Sequence, residues 1–364
     1  MPASPRSGRS IGDFERVFLN AIGAPRGKRR AQADVLWGAV SFFGLLFGAF
    51  LLSMPQAWAV GFQSFSIADP GHGPLAVAIW YPSDDPATTK PLPKSDQFVA
   101  QDGAATGHGL PLVVISHGAL ASLNKQGALA EQIDTALTLA RAGFVVAALV
   151  HNEFAPGPVI QVKDRSRQLH RLVDFMLTEW QDHARLDPAR IGAFGYSLGG
   201  FTVLVAIGGE PDLAQIAPHC ATAPAEWSCT HENLGIYHDS PAEPWVHDPR
   251  IKAAVIAAPA LGYLFGPAGL ARVHVPVQLW RGEEDHVLTE PWNAEAVERA
   301  LPTPPEMHVV KGAGHADFLA PCLAKEARVT PRLCAEASGF DRAGFRVGFG
   351  HAILGYFQKA LAAQ

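Results

Sequence analysis

A lone serine, Ser197, stands between two glycines in the sequence GYSLG at residues 195–199. An apolar run precedes it and a helix-like run follows it, so the serine is predicted at a sharp strand-to-helix turn. Such a turn strains the backbone and projects the hydroxyl above the sheet edge, and side chains at the two glycine positions would collide with neighbouring elements. The pattern predicts a nucleophilic serine. Because it also recurs by chance in glycine-rich chains, the prediction needs partner residues.

A serine hydroxyl becomes a good nucleophile when a histidine takes its proton and a carboxylate orients that histidine. With a serine in such a turn, the chain order is serine, acid, histidine. Asp285 follows the buried run VPVQLWRG, and His315 follows the run EMHVVKG on a glycine-lined loop. Both residues come directly after predicted parallel strands, at the same end as Ser197. We therefore predict the triad Ser197, Asp285 and His315.

Two other carboxylates compete with Asp285, because Glu283 and Glu284 directly precede it. The apolar run is read as a strand that ends at Trp280, and either glutamate would be the acid if the strand ended earlier. The other titratable residues nearby are predicted to be structural: Asp317 caps a turn, His286 lies in a loop and His308 lies in a strand.

The negative charge that forms on a substrate carbonyl oxygen requires hydrogen-bond donors. One predicted donor is the backbone N–H of Leu198, the residue after the nucleophile. The other belongs to the turn SHGAL at residues 116–120, where small residues let a substrate approach the backbone. We predict Ala119 as this donor, with Gly118 as the alternative. The chemistry needs no metal ion and no organic cofactor.

Short apolar runs alternate with amphipathic stretches of ten to seventeen residues from residue 110 onwards. Two further strands, VGFQSFSI and PLAVAIWYPS, are predicted before a Pro-rich loop at residues 84–110. The alternation predicts βαβ units in an α/β fold, with a mostly parallel sheet of about eight strands and helices on both faces. Residues 210–250 exceed an ordinary loop and are predicted to form a small cap over the carboxyl edge of the sheet, where ligands bind.

The N-terminal residues have the features of an export signal. Residues 1–34 carry seven Lys/Arg against three Asp/Glu, and RGKRR leads into an uncharged apolar run from Val35 to Met54. The sequence AWA at residues 57–59 is a small-x-small cleavage site. We predict an export signal at residues 1–59 and a periplasmic or secreted catalytic domain at residues 60–364. An uncleaved membrane anchor at residues 35–54, or a start codon placed too far upstream, is the alternative.

Charge and cysteine content narrow the class of protein. The net charge is −5, and beyond residue 34 the chain has 22 Lys/Arg against 31 Asp/Glu, which argues against nucleic-acid binding. The four cysteines fall into two local pairs, Cys220/Cys229 and Cys322/Cys334, and in an exported chain such pairs predict disulfides. Histidines flank the first pair, but an oxidising compartment and the spacing of these cysteines fit zinc poorly, so no metal site is predicted.

With these residues identified, the chain resembles the α/β-hydrolase superfamily over about residues 60–360. The segments IWYPS, VVISHG, FGYSLGG and GAGHADFLAPC are similar to predicted dienelactone hydrolases and to platelet-activating-factor acetylhydrolases. The resemblance implies an α/β-hydrolase fold and a Ser/Asp/His esterase with the oxyanion donors named above.

This chain departs from the two named families at two positions. Dienelactone hydrolase has a cysteine nucleophile where this chain has Ser197, which disfavours a lactone substrate. The acetylhydrolases place their acid after the sixth strand, where this chain has IAAPALG without a carboxylate, which favours Asp285.

The sequence thus predicts an exported serine hydrolase that cleaves small-molecule carboxylic esters through an acyl-enzyme intermediate. Lactone, phospholipid-acyl or amide hydrolysis by the same triad is the enzymatic alternative. A binding protein that kept the fold without catalysis is disfavoured, because no triad residue is missing. Aromatic residues in the predicted cap favour an apolar or aromatic pocket: Trp227, Tyr237 and Trp245.

Overall fold

Within the described residues, ten strands form one sheet: β1 (Ala59–Ile67), β2 (Leu75–Ser83), β3 (Thr88–Pro91), β4 (Asp96–Gln101), β5 (Leu110–Ser116), β6 (Val145–Leu149), β7 (Leu186–Tyr196), β8 (Ile251–Ala257), β9 (Val277–Gly282) and β10 (Glu306–Val310). Their order is β10-β9-β8-β7-β5-β6-β2-β1-β4-β3. From β10 to β6 the neighbours are parallel, whereas β2 is antiparallel to both β6 and β1. The predicted α/β fold with a mostly parallel sheet is confirmed.

The segment predicted as a loop, residues 84–110, contains β3 and β4, so the described part of the chain contributes ten strands to the sheet where about eight were expected. β4 pairs in parallel with β1, and β3 pairs antiparallel with β4. Every residue of β3 is exposed, and β4 carries Phe98 on its exposed face. β3 is fully exposed, and β4 mixes exposed and buried residues over only six positions, so neither has the continuous apolar run that marks the central strands.

The described residues form eight α-helices: α1 (Lys125–Ala130), α2 (Ile133–Arg141), α3 (Val162–Thr178), α4 (Leu198–Ala206), α5 (Ile216–Thr222), α6 (Pro267–Leu270), α7 (Ala294–Ala300) and α8 (Arg342–Ala360). Consecutive residues of the central strands enter two separate cores. Val114 of β5 packs in the core that holds residues of α3, α4 and α7, and Val113 packs in the core that holds residues of α2 and α8. Helices therefore cover both faces, as predicted.

The computed structural model describes residues 59–91, 96–119, 125–152, 162–230, 244–320, 328 and 339–362. The export signal or anchor predicted at residues 1–59 lies outside them except for Ala59, the first residue of β1. Within the described ranges, no helix combines the length and the apolar character needed to cross a membrane.

The described parts of the predicted cap are residues 210–230 and 244–250. The backbone N–H groups of Glu210 and Asp212 donate to the carbonyl oxygens of Gly269 and Leu264 at 2.8 and 2.9 Å, so this segment is attached to the loop after β8 and to α6. That the whole of residues 210–250 forms a cap remains a prediction.

Two of the cap's aromatic residues, Trp227 and Trp245, pack against the hydrophobic core, and Tyr237 lies outside the described residues. The predicted disulfide between Cys220 and Cys229 is present, with the two Cα atoms 5.2 Å apart. The second predicted pair, Cys322/Cys334, lies outside the described residues.

Candidate active site

Ser197 occupies the turn between β7 and α4. Its backbone has φ 55° and ψ −120°, a positive φ that costs a residue with a side chain about 1–3 kcal/mol. Neighbouring backbone groups hold that conformation. The N–H of Ser197 donates to the carbonyl of Ala257 at 2.9 Å, and the carbonyl of Ser197 accepts from the N–H groups of Gly200 and Ala260 at 2.9 and 3.0 Å. The turn has the strained geometry predicted for the serine.

The two glycines of the pentapeptide occupy positions where a side chain does not fit. A Cβ at Gly195 would lie 2.2 Å from the carbonyl oxygen of Gly199, and a Cβ at Gly199 would lie 2.0 Å from the carbonyl oxygen of Ser116. Both obstacles are backbone atoms, so relief would require moving α4 or β5. The glycines therefore let the start of α4 approach β5 closely, which brings Ser197 beside the loop that follows β5.

The structure brings the three residues of the predicted triad into hydrogen-bond contact. Nε2 of His315 lies 3.1 Å from Oγ of Ser197, and Nδ1 of His315 lies 2.8 Å from Oδ2 of Asp285. The side chains of His315 and Asp285 are only 11% and 6% exposed. Because a carboxylate can only accept, Nδ1 carries the proton in the neutral imidazole, and Nε2 is free to accept the serine hydroxyl proton.

Asp285 is oriented by its own loop. Its Oδ1 accepts from the backbone N–H groups of Val287 and Leu288 at 2.9 and 2.8 Å, which leaves Oδ2 for His315. Burial by itself would raise the pKa of Asp285, but the charge and hydrogen bond of His315 and the two N–H donors outweigh burial and lower that pKa below its ordinary value. At neutral pH, Asp285 is therefore a carboxylate facing Nδ1.

The competing glutamates have other partners. Oε2 of Glu283 accepts the N–H of Gly312 at 3.1 Å, and the exposed side chain of Glu284 lies 3.4 Å from the ring of His286. Strand β9 ends at Gly282, two residues beyond the predicted end at Trp280. The strand is longer than its apolar run because its last residues pair with β10. The structure pairs Asp285, rather than either glutamate, with His315.

Backbone contacts tie the acid loop to the histidine loop. The N–H of Glu283 donates to the carbonyl of Val310 at 3.0 Å, and the N–H of Glu284 donates to the carbonyl of Ala313 at 2.9 Å. A Cβ at Gly282 would lie 2.3 Å from the carbonyl oxygen of Ala313, so this glycine permits the close approach. The separation between Asp285 and His315 is thus set by two loops whose backbones are joined by hydrogen bonds.

Tyr196, whose position in the sequence predicts no role, contacts the loop that carries His315. Its hydroxyl donates to the carbonyl oxygen of His315 at 3.0 Å, and its ring centroid lies 5.1 Å from that of the imidazole. Burial raises the pKa of Tyr196, so the phenol remains a donor at neutral pH. In the same loop Asp317 accepts the N–H of Gly314 at 2.7 Å, as expected for a turn cap. His308 lies in β10 and His286 lies in a loop, as predicted.

The loop after β5 lies against Ser197. A Cβ at Gly118 would lie 3.4 Å from the Cβ of Ser197. The N–H of Gly118 already donates to Oε2 of Glu131 at 3.3 Å. Within the described residues, no hydrogen bond engages the N–H of Ala119 or of Leu198. This arrangement favours Ala119 over Gly118 as the second oxyanion donor.

Several buried polar side chains lie in or behind this loop and were not predicted from the sequence: His117, His151, Arg165, Gln168 and Thr202. One signal was available. Arg165 lies on the same stripe of α3 as Val162 and Leu169, which are core residues, and a charged residue on an apolar stripe indicates buried partners.

One group of side chains in the described ranges has atoms close enough to hold a metal ion: His219, Glu226 and Cys229 lie within 4.8 Å of one another. The sulfur of Cys229 is bonded to Cys220, so it is not available as a thiolate ligand. The remaining histidine and carboxylate are two ligands, fewer than a structural zinc site uses.

No protein-family model matches the sequence, and no curated protein matches it. Among solved structures, a ferulic acid esterase from Streptomyces cinnamoneus is similar, with a TM-score of 0.52 and 19% sequence identity, over 86% of this chain and 92% of that chain. At this identity the likeness concerns the fold. It agrees in fold class with this chain's mostly parallel sheet and its helices on both faces. The chain has the α/β-hydrolase fold.

Proposed function

We propose that this protein is a serine hydrolase that cleaves carboxylic esters through an acyl-enzyme intermediate. The observation that carries the proposal is the hydrogen-bonded series from Oγ of Ser197 through the imidazole of His315 to the carboxylate of Asp285. The steric and backbone constraints on the serine turn support it. So does the likeness to a ferulic acid esterase, because that enzyme's name places ester cleavage on the same fold.

In the first half of the proposed reaction, Oγ of Ser197 attacks the ester carbonyl carbon while its proton moves to Nε2 of His315. The carboxylate of Asp285 stabilises the resulting imidazolium. The N–H groups of Ala119 and Leu198 donate to the carbonyl oxygen as it becomes negative. The C–O bond to the alcohol then breaks, the alcohol leaves with the proton from Nε2, and the acyl group stays on Ser197.

In the second half, a water molecule attacks the acyl carbon and His315 takes its proton. Collapse of the second tetrahedral intermediate breaks the bond to Oγ, and the proton returns to Ser197. One ester and one water give one acid and one alcohol.

A substrate panel tests the proposal. The purified protein is assayed with p-nitrophenyl acetate, butyrate and octanoate, methyl ferulate, a small lactone, a short-chain phospholipid and an anilide. We expect ester turnover by the wild type and a loss of about 10⁴-fold or more in kcat for Ser197→Ala. Ser66→Ala, which changes an exposed serine on β1, is the matched control and is expected to keep wild-type activity.

The panel also separates the alternatives. Preferential turnover of the lactone, the phospholipid or the anilide would keep the triad and replace the substrate class. Absence of turnover across the whole panel, or full activity of Ser197→Ala, would contradict the proposed function.

We also propose that the protein is exported. The basic segment, the apolar run and the AWA sequence support export, as does the disulfide between Cys220 and Cys229, since such bonds persist in oxidising compartments. Cleavage after Ala59 would remove one residue of the nine-residue strand β1. N-terminal sequencing after expression in an exporting host tests this. A start near Val60 is expected, whereas an intact N-terminus in the membrane fraction would favour the anchor.

A further inference from the structure

Arg165 is a fully buried arginine on the core-facing side of α3. Removing a guanidinium from water costs several kcal/mol unless its donors are satisfied. Its presence in the core therefore has to be compensated by specific partners. The partners of Arg165 that the structure describes lie around the two segments that carry the proposed oxyanion donors.

The guanidinium contacts both segments at once. Nη2 donates to the carbonyl oxygen of His117 and lies 3.4 Å from Oγ of Ser116, at the end of β5. Nε donates to Oγ1 of Thr202 at 2.9 Å, and the hydroxyl of Thr202 donates to the carbonyl oxygen of Leu198 at 3.0 Å. One planar group thus connects the loop after β5 to the first turn of α4.

A second set of bonds fixes the direction of the Ala119 N–H. This N–H shares a peptide plane with the carbonyl of Gly118, and in a trans peptide the two groups point in opposite directions. Nδ1 of His117 lies 2.6 Å from that carbonyl oxygen, and Nε2 of His117 accepts the backbone N–H of His151 at 3.0 Å. Because a backbone N–H only donates, His117 is protonated on Nδ1 and donates to Gly118.

His151 connects the same loop to α3. Its Nε2 lies 2.8 Å from Oγ of Ser116, and its Nδ1 lies 2.9 Å from Oε1 of Gln168, which is one helical turn from Arg165. Burial and the charge of Arg165 lower the pKa of His151, so this histidine is neutral. Helix α3 therefore holds the loop after β5 at two places, through Arg165 and through Gln168.

We propose that Arg165 is a positioning residue for catalysis: it aligns the loop after β5 with the first turn of α4, so that the N–H groups of Ala119 and Leu198 converge on one carbonyl oxygen. The inference rests on the proposed hydrolase function. Because Arg165 is fully buried, it acts through His117 and Thr202 rather than on the substrate.

The test compares Arg165→Met with the wild type on the best ester of the panel. Methionine keeps an unbranched apolar stem and removes the donors. Misaligned oxyanion donors weaken binding to the transition state more than binding to the substrate, so we expect kcat to fall about 10- to 100-fold with KM changed less than about threefold. Active sites are counted by stoichiometric titration with a fluorophosphonate, so that misfolded protein does not enter kcat.

Two further variants serve as control and rescue. Arg171→Met makes the same chemical change on the same helix, where the polar partners of the arginine among the described residues are the carbonyl of Ala68 and the side chain of Glu179, and it is expected to keep wild-type kcat and KM. Arg165→Lys keeps one cationic donor group that can reach the His117 carbonyl but not Thr202 at the same time. Its kcat is expected between those of the wild type and Arg165→Met.

A second pair of variants, at Thr202, tests only the connection between Arg165 and α4. Thr202→Val loses the hydroxyl between Arg165 and Leu198, whereas Thr202→Ser keeps it. We expect kcat per titrated site to fall about 3- to 10-fold in the first and to stay at the wild-type value in the second, because the valine removes both bonds of this hydroxyl but leaves the bond from Arg165 to the His117 carbonyl in place. If Arg165→Met does not fold, this pair decides.

The outcomes separate the two proposals. Wild-type kcat per titrated site in Arg165→Met or, where that variant does not fold, in Thr202→Val would overturn the positioning role while leaving the hydrolase function intact. A rise in KM with unchanged kcat would also overturn it, because that result assigns Arg165 to substrate binding. A wild-type protein that turns over nothing in the panel and is not titrated by the fluorophosphonate would overturn both.

Discussion

The serine turn and the acid–histidine loops reach the same edge of the sheet by different physical means. Ser197 is placed mainly by excluded volume, since Gly195 and Gly199 meet backbone atoms at 2.0–2.2 Å from where a Cβ would stand. Asp285 and His315 are placed mainly by hydrogen bonds within and between their loops, although Gly282 lets the backbones of the two loops approach. A Cβ that overlaps a backbone atom to this extent forces the backbone to move, whereas hydrogen bonds worth about 1 kcal/mol each can be lost one at a time. Substitutions at the glycines of the serine turn should therefore disrupt the structure in one step, whereas substitutions around Asp285 and His315 should reduce activity by degrees.

The largest effect is expected at Gly199. In Gly199→Ala the new Cβ would lie 2.0 Å from the carbonyl oxygen of Ser116 and 2.8 Å from that of His117, so α4 cannot stay in place. We expect a loss of more than about 4 kcal/mol in the free energy of unfolding, seen as low soluble yield and a strongly lowered Tm.

The matched control is Gly355→Ala. Gly355 is an exposed glycine in α8 with no atom within 4 Å of the new Cβ. Alanine is the better helix former, so this substitution should leave the free energy of unfolding unchanged or raise it by up to about 1 kcal/mol, and Tm should stay the same or rise accordingly. Wild-type stability in Gly199→Ala would show that excluded volume does not place the serine turn.

A graded loss is expected at the acid. Asp285→Asn places an amide N–H₂ opposite Nδ1 of His315, which disfavours the tautomer that accepts the serine proton. We expect kcat to fall about 10²- to 10⁴-fold with little change in KM. Glu283→Gln and Glu284→Gln should each change kcat less than about threefold, because these side chains do not contact His315 in the structure. If Glu284→Gln proves the more damaging substitution, the assignment of the acid is wrong.

The lowered pKa of Asp285 also predicts how stability depends on pH. A carboxyl whose pKa is lower in the folded than in the unfolded chain stabilises the fold at pH values above its ordinary value, here 3.8, and loses that contribution as the pH falls through the folded value. We therefore expect the Tm of the wild type to exceed that of Asp285→Asn from neutral pH down to about pH 4, and the difference to shrink in more acidic buffer. A difference that grows on further acidification would contradict the sign of the shift.

The smallest effect on activity is expected at the disulfide, which lies in the segment attached to the loop after β8. Replacing both Cys220 and Cys229 by serine removes the constraint on a short loop, which costs about 2–3 kcal/mol. Tm should fall by several degrees, and kcat should stay within about threefold of the wild type, because this bond does not connect to the triad. A loss of activity as large as that of Asp285→Asn would place the segment in the catalytic machinery.

The serine turn could be predicted from the sequence because its physical requirement is a residue type. Where a Cβ would overlap backbone, only glycine fits, so Gly195 and Gly199 report the constraint directly. The choice among Glu283, Glu284 and Asp285 was harder, because the residue that faces His315 depends on where β9 ends. Pairing with β10 extends that strand beyond its apolar run.

Two other features were hidden for related reasons. β3 and β4 are short and lack a continuous apolar run, and they are recognised as strands by the pairing of β3 with β4 and of β4 with β1. The contacts of Arg165 join residues that are 37 to 49 positions apart in the chain, so only the apolar stripe of α3 hinted at them. Sequence patterns reveal constraints between residues close in the chain, whereas contacts between distant segments become visible only in the folded structure.

Peptide mapping by mass spectrometry after fluorophosphonate labelling tests the central claim most directly. A nucleophile activated by His315 and Asp285 should react once per molecule at Ser197, with the labelled peptide absent in Ser197→Ala and formed far more slowly in Asp285→Asn. Stoichiometric labelling at any other residue, or an unlabelled Ser197 in a preparation that hydrolyses esters, would contradict the account.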